Sequence, residues 1–92
     1  MTSALRVIIS GRVQGVGYRQ WTLAKAAALG LTGYVRNLQD GSVEACFEGS
    51  SEVIDEMVAH CWEGPFFARV KSLERISAAP AGRAGFTIGP TD

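Results

Sequence analysis

The chain has 92 residues, 47% apolar and 20% charged, with nine basic and nine acidic side chains that leave no net charge at neutral pH. This length calls for one domain with one core, and the apolar share excludes disorder of the whole chain. No apolar run approaches the roughly 18–20 residues of a membrane span. The start Met1-Thr2-Ser3-Ala4-Leu5-Arg6 lacks the basic region, long apolar stretch and cleavage site of a secretory signal, so the expectation is a soluble, cytoplasmic protein.

Leu5, Val7 and Ile9 alternate with Arg6, Ile8 and Ser10, the pattern of a strand with one buried face. The strand runs into Gly11-Arg12-Val13-Gln14-Gly15-Val16-Gly17-Tyr18-Arg19, a loop with three glycines in seven residues. From about Tyr18 to Leu29 an Ala-rich stretch predicts a helix, which Gly30 stops. Tyr18, Thr22, Ala26 and Leu29 are spaced to face the core together. Gly33-Tyr34-Val35-Arg36-Asn37 reads as a short strand, and Leu38-Gln39-Asp40-Gly41 as the turn of a hairpin. In the returning strand Val43, Ala45 and Phe47 alternate with Glu44, Cys46 and Glu48. Ser50 or Ser51 caps a second helix, with Glu52 and Asp55 near its positive end. Ile54, Met57, Val58 and Cys61 form its buried stripe, and Gly64-Pro65 ends it. Val70 to Ile76 is a further strand whose apolar residues do not alternate cleanly, the mark of a bulge. Pro80-Ala81-Gly82 turns the chain into a last short strand at Gly85-Phe86-Thr87-Ile88. This order places the chain in the α+β class as one domain over residues 1–92. The economical arrangement is a ferredoxin-like βαββαβ sandwich, an antiparallel sheet with two helices on one face and a short extra C-terminal strand.

The zero net charge hides an asymmetry. Residues 1–39 hold five basic residues and no acid, and residues 40–63 hold seven acids and no base. A pI near 6.6 argues against broad nucleic-acid or membrane-surface binding. The acid-free first segment suits a local anion site, and mutual neutralisation of the two blocks across the fold fits it equally well. Cys46 and Cys61 do not make a disulfide framework. His60 is the single histidine, so a metal held by Cys46, His60 and Cys61 would lack a fourth ligand. No metal is expected.

The stretch Gly11 to Arg19 leaves a strand and enters a helix start. Its glycines allow consecutive N–H groups to point into one concavity, and the helix start adds unpaired N–H groups and a positive dipole end. Arg19 in the first turn offers two parallel donors to a phosphate. No Gly-Lys-Ser/Thr follows, so this is not a Walker loop, and the glycine spacing is not that of a dinucleotide fingerprint. A tight connection with a solvated arginine would show the same glycines.

Gly11 to Arg19 resembles the phosphate-binding signature of the acylphosphatase family. Gly33 to Asn37, followed by Asp40-Gly41-Ser42-Val43-Glu44, resembles that family's second signature. Gly64-Pro65, Ala68-Arg69-Val70 and Phe86-Thr87-Ile88 are similar to its later landmarks, so the likeness covers nearly the whole chain. The resemblance implies hydrolysis of a carboxyl–phosphate anhydride to carboxylate and inorganic phosphate, with no metal and no organic cofactor. It implies that the loop residues Gln14, Gly15, Val16, Gly17, Tyr18 and Arg19 hold the phosphate, chiefly through main-chain amides and the Arg19 side chain. It implies that Asn37 orients the attacking water. The partner is then a small-molecule acyl phosphate, with no nucleic acid and no membrane, and the protein a monomer.

Other readings stand beside these. Asn is common where a strand meets a turn, which suffices for Asn37 taken alone. Tyr18 reads as core packing at the helix start, Arg12 as solvated, and Arg36 as facing either water or the rim of the site. Trp21, Trp62 and His60 carry no assigned role. Many members of the family carry a basic residue and an aromatic where Gly89-Pro90 stand, and in some members that tail helps anchor the site arginine, so the expectation is that Arg19 relies on another support here. The alternative function is a non-catalytic anion- or carbamoyl-phosphate-binding module of the same fold. RNA-recognition domains share the element order, but they show aromatics on the open sheet face, where this chain offers Glu44, Cys46 and Glu48.

Overall fold

A computed structural model describes all 92 residues, Met1–Asp92. The alternating first segment forms β1 (Ser3–Arg12), with Val7 and Ile9 fully buried. The Ala-rich stretch forms α1 (Tyr18–Ala28), which buries Tyr18, Thr22 and Ala26. Leu29 caps it half-buried, and Gly30 turns the chain at a φ of +74°. β2 (Thr32–Asn37) and β3 (Val43–Gly49) make the expected hairpin, in register from Thr32↔Glu48 to Asn37↔Val43. Its turn is fastened by Asp40 Oδ1, which accepts from the main-chain N–H and hydroxyl of Ser42. Ser50, not Ser51, caps α2 (Ser51–Glu63), its hydroxyl accepting from Val53 N at 3.3 Å. The buried residues of α2 are the four of the predicted stripe. β4 (Arg69–Ala78) and β5 (Phe86–Ile88) complete the chain.

The five strands form one sheet in the order β4-β1-β3-β2-β5. β4 pairs with β1, but the register shifts from Ser10↔Ser72 to Gly11↔Val70, so Lys71 has no partner. That extra residue is the bulge that puts Val70 and Leu73, three apart, on the core face, whereas Ile76, opposite Arg6, lies on the other face. The four long strands are antiparallel. β5 runs parallel to β2, with Gly33↔Phe86 and Val35↔Ile88, so the sheet is mixed at one edge. Its direction follows from the path of the chain. β4 ends at one edge, residues 79–85 cross the width of the sheet, and the chain then returns in the direction of β2.

One face of the sheet packs on both helices. Val7, Ile9, Val35, Val43, Ala45 and Phe47 meet Tyr18, Ala26, Ile54, Met57, Val58 and Cys61 in a single core. Phe86 closes its edge by stacking on Phe47, with ring centres 5.7 Å apart. No helix is long and apolar enough to cross a membrane.

The other face is closed by charge. Glu44 and Glu48 are each only 3% exposed and Cys46 is buried between them. Arg6 Nη1 donates to Glu44 Oε2 and Arg36 Nε to Glu44 Oε1, each at 2.6 Å, and the Tyr34 hydroxyl adds a third donor at 3.2 Å. Arg36 therefore spans the sheet face and not the rim of the site. The crossing segment covers Glu48, whose Oε1 accepts from Ala81 N and Gly82 N at 3.0 Å each. Glu48 Oε2 lies 3.2 Å from Arg83 Nε, within ion-pair distance but not aligned as a hydrogen bond. Tyr34, the one aromatic on this face, lies beneath Arg36 and Arg83, 5.7 and 4.9 Å from its ring centre. These acids do not present an open negative surface, as the sequence suggested; arginines from β1, β2 and the crossing segment neutralise them. Burial alone would raise the Glu44 carboxyl, but the hydrogen bonds from Arg6 and Arg36 outweigh it and hold the group below its ordinary value.

Candidate active site

Antiparallel pairing brings the end of β1, the end of β2 and the start of β4 to one end of the molecule, and α1 begins there as well. The loop between β1 and α1 is anchored by Val13, which is 1% exposed. Gly15 and Gly17 have φ of +72° and +82°, the left-handed region that an L side chain enters only at a cost of about 1–2 kcal/mol. This alternation turns successive N–H groups to one side.

Gly17 is also the residue that caps α1, and it has no side chain to accept from the first-turn amides. Its carbonyl accepts from Trp21 N at 3.0 Å, which closes the first helical turn. The N–H groups ahead of that bond have no helical partner. No acid stands in the first turn of α1, whereas α2 has Ser50 as cap and Glu52 in its first turn. The positive end of α1 is thus left uncompensated, which favours an anion. Arg19 stands half-exposed in this turn, outside every ion pair of the protein.

Tyr18 points the other way. It is 1% exposed, and its hydroxyl donates to the Cys61 carbonyl, tying the helix start to α2. Burial, reinforced by Cys61, pushes the phenol far above its ordinary value, so it stays protonated. Trp21 packs on it, with ring centres 5.4 Å apart.

The loop, the start of α1, Asn37 and Ile88 line a pocket of about 180 Å³. Gln14, Gly15, Gly17, Tyr18, Arg19 and Asn37 all border it, as the sequence grouped them. Val16 does not, because its side chain packs against the core. Asn37 ends β2, and its Oδ1 is buried without accepting a hydrogen bond from the protein. No acidic side chain lines the pocket. His60 lies on α2, 3.9 Å from Glu56. Burial pushes the Cys61 thiol up to about 12 and also raises that of Cys46, so neither is a nucleophile at neutral pH.

Two contacts at the pocket were not foreseen. The sequence points only to the main-chain amide of Gln14, and the structure adds contacts of its side chain. Gln14 Nε2 donates to Leu38 O and Ser42 O, each at 2.8 Å, which joins the loop to the turn after Asn37. A carboxamide is the one side chain of the loop with two donors on a single neutral nitrogen, the only hint the sequence gives. The tail beyond Ile88 is the second. It continues along β2, with Gly89 N donating to Val35 O at 2.9 Å and Asp92 N to Asn37 O at 3.0 Å. Gly89-Pro90 thus lead the tail to Asn37, not to Arg19.

The fold and the site define a class, an α+β domain with a glycine-built loop at an unpaired helix start and a carboxamide opposite. Residues 5–88 match the family model for acylphosphatase, and the chain belongs to the acylphosphatase family, which makes it a hydrolase. The acylphosphatase of Nitrobacter winogradskyi is 55% identical over 69 residues, 75% of this chain and 70% of that one. The acylphosphatase of Azorhizobium caulinodans is 44% identical over 92 residues, 99% of each chain. The solved structure of an acylphosphatase from Coxiella burnetii superposes with a TM-score of 0.92 at 33% identity, covering 96% of this chain and 93% of that one.

Proposed function

We infer that the chain hydrolyses acyl phosphates, with the loop amides and Arg19 holding the phosphoryl group and Asn37 orienting the water. The observation that carries this reading is the meeting of Arg19 and Asn37, from different elements, at one pocket with an uncapped helix start. Phosphoryl transfer passes through a loose transition state, so placement and charge stabilisation matter most. Arg19 and the N–H groups of the loop and first turn meet the charge on the equatorial oxygens. The Asn37 carboxamide accepts a hydrogen bond from water and fixes its line of attack. The water oxygen bonds to phosphorus as the bond from phosphorus to the acyl oxygen breaks, and the carboxylate leaves. Carboxylate is a good leaving group, so no strong base is required, and the phosphoryl oxygens take the water proton. Small acyl phosphates in general fit this chemistry, and the protein acts as a single-domain cytoplasmic monomer.

The test is phosphate release from benzoyl phosphate in the presence of a chelator. Wild type should turn over, Arg19→Ala should lose phosphate affinity and rate, and Asn37→Ala should lose rate while inorganic phosphate still inhibits competitively. Equal loss of phosphate affinity in both variants would overturn the division of roles. A folded wild type that binds phosphate without turnover would establish the non-catalytic binding module instead.

A further inference from the structure

Asn37 stands where the β2–β3 ladder ends, and its side chain has no hydrogen bond through Oδ1 to hold it. Its position is therefore set by its main chain. That main chain is fastened from two sides. From the outer edge, Asp92 N donates to the Asn37 carbonyl at 3.0 Å, and a main-chain oxygen of Asp92 accepts from Gln39 N at 3.0 Å. From the phosphate loop, Gln14 Nε2 bonds the carbonyls of Leu38 and Ser42, which bracket the turn. Leu38 N donates to that same Ser42 carbonyl at 2.9 Å, so the turn is closed on itself as well.

We propose that Gln14, through its side chain, and Asp92, through its main chain, are positioning residues for the hydrolysis: a two-sided clamp that fixes Asn37 against the phosphate cradle. The proposal rests on the reading of Asn37 as the residue that orients the water. An in-line attack tolerates little displacement, and a shift of about 1 Å can cost on the order of 100-fold in rate. Gln14 gives the clamp its reference point, because its main chain belongs to the cradle while its side chain holds the turn behind Asn37. Phosphate and water are thereby set in one frame by one residue. The tail restrains the opposite side, where β5 has ended and no other strand covers the Asn37 carbonyl.

The chemistry supplies discriminating variants. Asp92→Pro removes the donating N–H, and Asp92→Ala keeps it while removing only the exposed carboxylate 3.5 Å from Arg36. Gln14→Met keeps the length of the side chain without its donors. Gln14→Glu places an acceptor-only group against two carbonyls. All four are compared with wild type and Asn37→Ala in benzoyl phosphate turnover, competitive inhibition by inorganic phosphate, and thermal unfolding.

Asp92→Pro and Gln14→Met should lower kcat about 10-fold, and Gln14→Glu further, with the phosphate inhibition constant kept within about two-fold. Asp92→Ala should match wild type. In the Asn37→Ala background, Asp92→Pro should cause no further loss, because it acts through a side chain already removed. A merely structural role would lower stability without this split between kcat and the phosphate inhibition constant. Wild-type kcat in Asp92→Pro and Gln14→Met, beside a collapse in Asn37→Ala, would overturn the clamp and leave the role of Asn37 standing. An undiminished loss from Asp92→Pro in the Asn37→Ala background would also overturn it. Full activity of Asn37→Ala would remove the reading of Asn37 and the clamp together.

Discussion

Glu44→Gln isolates the charge on the face of the sheet away from the helices. Glu44 accepts from two guanidinium groups at 2.6 Å, and its side chain is 5% exposed. Glutamine keeps the volume but presents one oxygen and one NH2 group, so one arginine loses its acceptor and meets a donor. The loss of a charge-assisted hydrogen bond is worth about 1.5–3 kcal/mol. A fully buried pair would set about 3–5 kcal/mol. Arg6 and Arg36 keep 38% and 31% of their side-chain exposure and regain water in part, so the expected cost is about 2 kcal/mol at neutral pH. For a domain of this size that lowers Tm by roughly 10 °C. The sign with pH follows from linkage. The folded carboxyl titrates below its unfolded value of about 4.3, so its contribution is complete above that value and is lost as pH falls through the folded one. Urea unfolding of wild type and Glu44→Gln at pH 7 and at successively lower pH measures the difference. The deficit should be full at pH 7 and shrink in acid. A deficit that stays constant across the titration would refute the electrostatic account and point to shape alone.

Two further predictions concern packing and reactivity. Gly33 has a φ of +139°, and a Cβ there would lie 1.8 Å from the Cys46 carbonyl, so Gly33→Ala must separate β2 from β3. It should cost more than about 4 kcal/mol and leave little folded protein by circular dichroism; a variant melting within a few degrees of wild type would contradict the hairpin geometry. Cys46 and Cys61 are buried with raised thiol pKa values, so a thiol reagent at pH 8 should label neither until denaturant is added. Rapid labelling of Cys61 in the native protein would show that the core beneath Tyr18 opens.

Local pattern carried much of the fold. The α2 stripe, the hairpin over residues 33–48 and the stop at Gly30 depend on near neighbours, and the structure has them where the spacing put them. What the sequence left open depends on distant partners. The bulge at Lys71 was expected somewhere in β4, but its place is set by the Ser10–Gly11 segment of β1. Alternation put Glu44 and Glu48 away from the core, yet nothing nearby in sequence says that Arg6, Arg36 and residues 81–83 bury them. The site divides in the same way. Glycine spacing and a helix start outlined the loop side of the pocket, and the family likeness joined Asn37 to it. The side-chain bonds of Gln14 reach 24 and 28 residues along the chain, and no local spacing encodes them.

The strand order β4-β1-β3-β2-β5 gives both flanks of the sheet to the last third of the chain. Synthesis from the N-terminus therefore delivers the three central strands first, with β1 and β2 bare along their outer sides. A nascent chain stalled before Arg69 would expose two templates for foreign strands at once, the condition that favours aggregation. The arriving flanks are built to end that growth: β4 brings Arg69, Lys71, Glu74 and Arg75 to one border, and β5 offers only three residues at the other. The order of assembly and the resistance of the finished molecule to stacking are thus both written into where the final two strands land.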